Sequence, residues 1–123
     1  MISINFIILA AICNAVMDKI SFHFENSIFN GLNKYFWNPY WSWKNKYVNQ
    51  NPYYGRRKFL GIKLAPTFTD AWHLFKSIMI VFMILAVVFY NPIVCILVDV
   101  IIYGIVWNVV FNLCFNHLFK YGN

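Results

Sequence analysis

The chain has 123 residues, of which 61% are hydrophobic and 11% are charged, and its formal net charge is +6. A chain of this length forms one domain. So few charged groups leave too little polar surface to coat a water-soluble globule that contains long apolar helices. The composition therefore predicts a membrane protein and argues against a soluble globular domain.

The first apolar run extends from Ile2 to Met17, and no basic residue precedes it as one would in a signal peptide. A helix of about 16 residues reaches only about 24 Å, so we expect it to continue past Asp18. Apolar residues at helical spacing support continuation to a stop at Asn30-Gly31. Residues 1–30 are therefore predicted to form a first membrane span and its extension.

Residues 31–66 form a polar middle segment in which aromatic and basic residues alternate, as in FWNPYWSWKNK (36–46) and YYGRRKF (53–59). Aromatic rings suit the headgroup level of a bilayer, and each Lys or Arg near anionic lipid contributes about 1 kcal/mol. The same composition is typical of nucleic-acid binding, but the position between apolar runs favours lipid. The candidate headgroup residues are Trp41, Trp43, Lys44, Lys46, Arg56, Arg57 and Lys58.

Residues 67–119 contain two further apolar runs, Ala71–Tyr90 and Ile93–Phe119, separated by Asn91-Pro92. Each run is long enough to cross roughly 30 Å of hydrocarbon. Pro92 fits a tight turn with proline at the start of the next helix. This pattern predicts a transmembrane hairpin.

The basic residues fix the expected orientation of these three spans. Nine of the ten lie between Lys19 and Lys76, and the tenth is Lys120. Three spans place both regions on one side, and the positive-inside rule makes that side cytoplasmic. The sequence thus predicts an all-α, polytopic membrane protein forming a single domain over residues 1–123. The N-terminus is expected outside the cell and the C-terminus in the cytoplasm.

Five ionisable side chains are expected at the cytoplasmic ends of the spans. Asp70 and His73 are three residues apart and share a helix face. Imidazole and carboxylate groups are ligands for zinc, iron or manganese. The candidate metal ligands are Asp70, His73, His23, His117 and Asp18.

A structural explanation of these five residues stays open. Thr67 or Thr69 is expected to cap the second span, and Asp70 suits the positive end of its helix or caps it alone. The histidines could be interfacial residues. Asp18 could pair with Lys19 or Lys76.

The third span carries polar residues on two opposite faces. Asn108, Asn112 and Asn116 repeat every four residues, and Asp99 lies nearly opposite Asn108, about two turns below the outer end. Amides in a span bond to neighbouring helices, and an acid there is a functional candidate. Helix association is favoured over an ion or proton path, with Asp99 protonated or bonded to Tyr103 or to another subunit. Because a three-helix monomer can hardly shield polar groups on opposite faces of one helix, this arrangement favours a homo-oligomer or a larger assembly.

Two segments, FWNPYWSWKNKY (36–47) and FTDAWHLFKS (68–77), resemble an uncharacterised family of small integral membrane proteins from Bacteroidetes and phages, and NAVMDKISFHFENSIF (14–29) fits the start of that pattern. The run Arg56-Arg57-Lys58 departs from it. The resemblance implies a membrane location and no known reaction. The matching positions are Asp18, His23, Trp43, Lys44, Asp70 and His73.

The sequence contains no nucleotide-binding, metalloprotease or nucleophile motif of the GxGxxG, GxxxxGK[ST], HExxH or GxSxG kind, so it does not decide whether the protein is an enzyme. The first hypothesis is a structural or accessory component of a membrane assembly. The second is a membrane-embedded metal-binding protein or metalloenzyme that uses the Asp and His residues. The third is a holin-like pore former of a phage.

Overall fold

A computed structural model describes residues 2–63 and 66–122 of the chain. Met1, Leu64, Ala65 and Asn123 lie outside the described residues, and two of them fall within the predicted 31–66 segment. The described part is mainly helical, which confirms the all-α prediction, with one very short strand pair as the exception.

The first helix, α1, comprises Ile2–Phe22. It continues past Asp18 as expected, but the prediction that it runs on to Asn30-Gly31 is wrong. The chain bends at His23, whose backbone leaves the helical region, and continues as two 3₁₀ turns, Phe24–Asn26 and Ile28–Gly31. The Ser27 hydroxyl accepts the N–H of Phe29 and so caps the second turn, which stabilises the break.

The middle segment folds into a series of short helical turns and one short strand pair. It contains the one-turn helices α2 (Lys34–Trp37) and α3 (Pro39–Ser42) and an antiparallel strand pair, β1 (Lys58–Phe59) and β2 (Ile62–Lys63). Between α3 and β1 lie three 3₁₀ turns, Trp43–Lys46, Val48–Gln50 and Pro52–Tyr54.

Two long helices follow a 3₁₀ turn at Pro66–Phe68: α4, which comprises Ala71–Val88, and α5, which comprises Ile96–Leu113 and continues as a π-helical turn, Cys114–Leu118. With α1, these helices are long and apolar enough to cross a membrane. The prediction that Pro92 starts the third helix is wrong. The helix begins four residues later, because the side chain of Asp99 binds the backbone of the connection.

Helix α1 lies at the centre of the bundle. Its Phe6 ring packs on Phe82 and Phe89 at the far end of α4, so α1 and α4 are antiparallel. Its Ser3 hydroxyl bonds to Tyr103 of α5, so α1 and α5 are parallel. Helices α4 and α5 make few contacts with each other. The predicted hairpin is therefore two helices that pack separately on α1.

Small side chains explain the central place of α1. Ala10, Ala11 and Ala15 are fully buried, and small residues allow helix backbones to approach closely where lipid or protein surrounds them. Helix α4 presents its own buried alanines, Ala71 and Ala86, toward the bundle.

A buried hydrophobic cluster lies where α1 ends and α4 begins, which we call the inner end of the bundle. Its buried members are Val16, Ile20, Phe24, Phe29 and Ala71. Trp37 stacks on Phe29 at a centroid distance of 5.2 Å, and the C-terminal Phe119 packs on the same ring. The middle segment and the C-terminus are thus packed against the inner end of the helices.

Candidate functional site

Asp70 and His73 form a hydrogen-bonded polar pair at the inner end. Asp70 is the N-cap of α4, and its Oδ1 accepts the backbone N–H of His73 at 2.9 Å. Its Oδ2 lies 2.7 Å from Nδ1 of the same imidazole. The expectation that Thr67 or Thr69 caps this helix is wrong, because the carboxylate itself reaches the third helical N–H, as N-cap side chains do.

Other contacts complete the environment of this pair. The Thr69 hydroxyl lies 2.7 Å from the Pro66 carbonyl and 3.1 Å from the Asp70 carboxylate, and its one hydrogen is shared between them. Asp70 is almost completely buried. The His73 side chain keeps about a quarter of its surface exposed. Because its Nδ1 is held by Asp70, Nε2 is the ring atom left to meet a ligand or water.

This pair lines a cavity of about 420 Å³ at the inner end. We call it the acidic cavity, since α1 contributes Asp18 and α4 contributes Asp70 and His73. Trp43, Trp72 and Phe22 supply aromatic walls. Two of the four acidic residues of the chain therefore face one space, and none of its ten basic residues lines it.

Asp18 does not form the ion pair that we considered with Lys19 or Lys76. Lys19 is buried and donates from Nζ to the carbonyl of Phe115 at 2.9 Å, on the other side of α1. The Lys76 ammonium lies over the ring of Trp72, 4.8 Å from its centroid. Among the described residues, Asp18 has no hydrogen-bond or ion-pair partner.

The two remaining histidines point away from the acidic cavity. His23 makes an edge contact with Phe115 at a centroid distance of 5.5 Å. His117 is exposed and lies beside Asn112 and Asn116 on the outer face of α5.

Of the five candidate metal ligands, Asp18, Asp70 and His73 line the acidic cavity, and His23 and His117 do not. In residues 2–63 and 66–122, no group of three or more His, Cys, Asp or Glu side chains is placed to hold a metal ion. The reason is geometric, since the helix ends at Phe22 and His23 turns toward α5 while Asp70 and His73 face the opposite side of α1.

Asp99 is buried but lies in the first turn of α5, not two turns deep. Its carboxylate accepts the N–H groups of Ile93 and Val94 at 2.9 and 3.1 Å and the hydroxyl of Tyr90 at 2.8 Å. The hydrogen bond from the Tyr90 hydroxyl to Asp99 is the main cause that raises the pKa of Tyr90 to about 12. The expected partner, Tyr103, bonds to Ser3 instead.

The three asparagines of α5 form an exposed row that we call the amide ladder. Asn108 and Asn112 each donate to the carbonyl four residues earlier at 2.8 Å, and Asn116 donates to the Asn112 side chain at 3.3 Å. The ladder does not face α1 or α4. Asp99 is buried whereas Asn108, predicted to lie nearly opposite it, is exposed. Among the described residues, the ladder amides donate only within α5 and its π-helical turn, so the predicted bonds to a neighbouring helix stay a prediction.

The predicted headgroup residues remain on the surface. Trp41 and Trp43 are more than two-fifths exposed. Lys44 lies over Trp43 and Lys46 over Tyr47 in cation–π geometry. In the strand pair, Lys58 lies directly opposite Lys63, where like charges repel. An anionic surface beside the exposed segment 56–63 would relieve this repulsion.

Two contributors to these sites were not predicted from sequence. Trp72 is not among the candidate residues of the sequence analysis, yet it forms a wall of the acidic cavity. Tyr90 was read as the end of a span, yet it binds Asp99. The signal for Tyr90 was its place just before the helix-breaking Asn91-Pro92, within reach of an acid in the next helix. Comparison of the chain with protein-family models, curated proteins and solved structures gave no match.

Proposed function

We propose that the chain is a three-span membrane protein that self-associates through the amide ladder and serves as a structural or accessory component of a membrane assembly. The middle segment and the C-terminus are then cytoplasmic and the N-terminus is outside. The positive-inside bias supports this orientation, because the basic residues gather at the inner end.

The distribution of polar and apolar side chains supports the membrane location. The only buried residue of α5 is the acid Asp99, whereas Leu97, Val100 and Ile101 are each more than three-fifths exposed. Helix α4 likewise exposes Val87 and Val88. Acyl chains solvate such surfaces, and water does not.

The amide ladder is the observation that carries the proposal of self-association. An amide offers two donor hydrogens and an acceptor oxygen with two lone pairs. Asn108 and Asn112 each use one donor on their own helix, which leaves bonding capacity that hydrocarbon does not satisfy. Because amides are both donors and acceptors, the ladder is complementary to a second copy of itself.

Energy transfer between donor- and acceptor-labelled copies in vesicles tests this proposal. An interhelical hydrogen bond in a membrane contributes about 0.6 kcal/mol, so replacing all three ladder residues by Leu should weaken association by about 2 kcal/mol, or roughly twentyfold. Val109→Leu is the matched control, since this side chain borders the same groove and loses no amide. Equal association of the triple variant and the wild type would contradict the proposal.

A dye-release assay in the same vesicles distinguishes a structural component from a pore former. In a pore former, the ladder would line an aqueous channel. An entrapped dye should be retained by vesicles that hold the associated wild-type protein. Dye release that requires the three asparagines would favour the pore former instead.

The headgroup residues support a further part of the proposal, contact of the middle segment with anionic lipid. The supporting observations are the exposed basic residues Arg56, Arg57 and Lys58 and the facing Lys63. Nucleic-acid binding is not proposed, since the middle segment lies between two helices that are long and apolar enough to cross a membrane, a position that favours lipid.

A further inference from the structure

The acidic cavity is lined by acidic residues, although the surrounding protein is basic. The chain carries ten basic and four acidic residues, and the middle segment beside the cavity is strongly basic. Yet the cavity wall holds the carboxylates of Asp18 and Asp70 and no Lys or Arg. Its occupant is therefore expected to be a cation rather than a phosphate or another anion.

The two carboxylates are not equivalent. Asp70 is committed to the start of α4, where it binds the backbone and ring of His73 and the hydroxyl of Thr69. Asp18 is only partly buried and has no partner among the described residues. Asp18 is thus the carboxylate that is free to meet a ligand.

The walls of the cavity select the kind of cation. A metal ion requires several oxygen, nitrogen or sulfur ligands, and no such group of three exists among the described residues. The walls instead present the indole rings of Trp43 and Trp72. Indole faces attract organic ammonium groups, and aromatic cages are a common way to bind quaternary ammonium.

The same two rings already accept ammonium groups from the protein. Lys76 lies 4.8 Å from the centroid of Trp72, and Lys44 lies 5.6 Å from that of Trp43. Each indole has two faces, and its lysine covers only one of them. A volume of about 420 Å³ is ample for a trimethylammonium group with its ethyl linker.

We propose that the acidic cavity binds an organic ammonium group, with Asp18 as its counter-ion and Trp43 and Trp72 as its aromatic walls. The group is that of a choline or ethanolamine headgroup or of a free amine of the same chemistry. This proposal rests on the cavity alone and is independent of self-association through the amide ladder.

Titration of the purified protein in phosphatidylglycerol nanodiscs with choline chloride tests the proposal, with tryptophan fluorescence as the readout. Sodium chloride at equal concentration controls for ionic strength. We expect saturable quenching in the millimolar range, as a single cation–π site with one carboxylate supports. Asp18→Asn should weaken binding by about tenfold, and Trp43→Leu should also weaken it.

Glu25→Gln is the matched control, because it removes the same charge from an exposed residue outside the acidic cavity. Its affinity should equal that of the wild type. Trp43 is exposed at the surface of the segment, so Trp43→Leu keeps the test valid if Asp18→Asn fails to fold. Absence of saturation in the folded wild type, or equal affinity of Asp18→Asn and Glu25→Gln, would overturn the proposal.

A second arm identifies the source of the ammonium group. Nanodiscs of phosphatidylcholine or phosphatidylethanolamine replace those of phosphatidylglycerol, and the choline titration is repeated. If the ligand is a lipid headgroup, the lipid competes and the apparent affinity for choline falls. If it is a free amine, the affinity is the same in all three lipids, and both results support an ammonium site.

Discussion

Substitution of Asp70 by Ala tests the arrangement at the start of α4. The change removes the N-cap bond to the His73 N–H, whose length is 2.9 Å, and the 2.7 Å contact with its ring. Loss of an N-cap costs about 1 kcal/mol. A hydrogen bond from a charged group contributes about 1.5–3 kcal/mol, which we reduce because the His73 side chain is a quarter exposed.

The two effects share one side chain and are not additive, so the expected loss for Asp70→Ala is about 2–3 kcal/mol. The assay is the free energy of unfolding in mixed micelles, followed by helical circular dichroism during a titration with denaturing detergent. Asp70→Asn should lie between Ala and wild type, since its amide oxygen can still cap the helix.

Thr67→Ala provides the matched control for Asp70→Ala. Thr67 was the competing cap in the sequence and here only accepts a hydroxyl bond from Ser77 at 3.2 Å. Its replacement should cost less than about 1 kcal/mol. If the two Ala variants lost equal stability, the assignment of Asp70 as the cap that holds His73 would be refuted.

Two further predictions concern the other polar contacts of the helix ends. Lys19→Met keeps the apolar stem but removes the bond to the Phe115 carbonyl. Hydrogen exchange of amides 114–120, measured by mass spectrometry, should therefore become about tenfold faster. Lys120→Met is the control, and unchanged exchange in Lys19→Met would contradict the role of Lys19 in holding this segment. Tyr90 has its pKa raised to about 12 from an ordinary value of 10.0, chiefly by its bond to Asp99. A raised pKa means that the bond stabilises the fold fully below pH 10 and is lost as the pH rises toward 12. Tyr90→Phe should therefore be less stable than wild type at pH 8 and should converge with it above pH 12; a constant difference across this range would exclude the bond.

Apolar length and composition were sufficient to predict the three long helices. The second and third runs were each long enough for a bilayer, and the first became so with its expected continuation past Asp18. Three spans of alternating direction must bring the ends at 22, 71 and 118 to the same end of the bundle. Hydropathy did not reveal which helix is central, because all three are apolar. The alanines of α1 were the available signal, since only small side chains let two helices approach one helix from both sides.

The turns of the middle segment also had a sequence signal that was overlooked. The tripeptide NKY occurs at 33–35 and 45–47, and NPY occurs at 38–40 and 51–53. The Oδ1 atoms of Asn33, Asn38 and Asn51 each accept the N–H two residues later, at 3.0 Å, as Asx turns do. Asn45 departs from this pattern, because its amide reaches the carbonyls of Tyr35 and Thr69 and ties the segment to the start of α4.

The environment of Asp99 was not predictable from periodicity, because it depends on where α5 begins. Starting the helix at Pro92 would place the acid about two turns into the span, where it is costly and implies a functional role. Starting at Ile96 places it in the first turn, where the helix dipole favours an anion and two free N–H groups lie within reach. Asp99 is thus satisfied by its own connection and needs no partner, whereas the amide ladder on the opposite face retains unused donors and acceptors. Of the two polar faces that the sequence placed on α5, only the ladder provides a physical reason for this protein to associate.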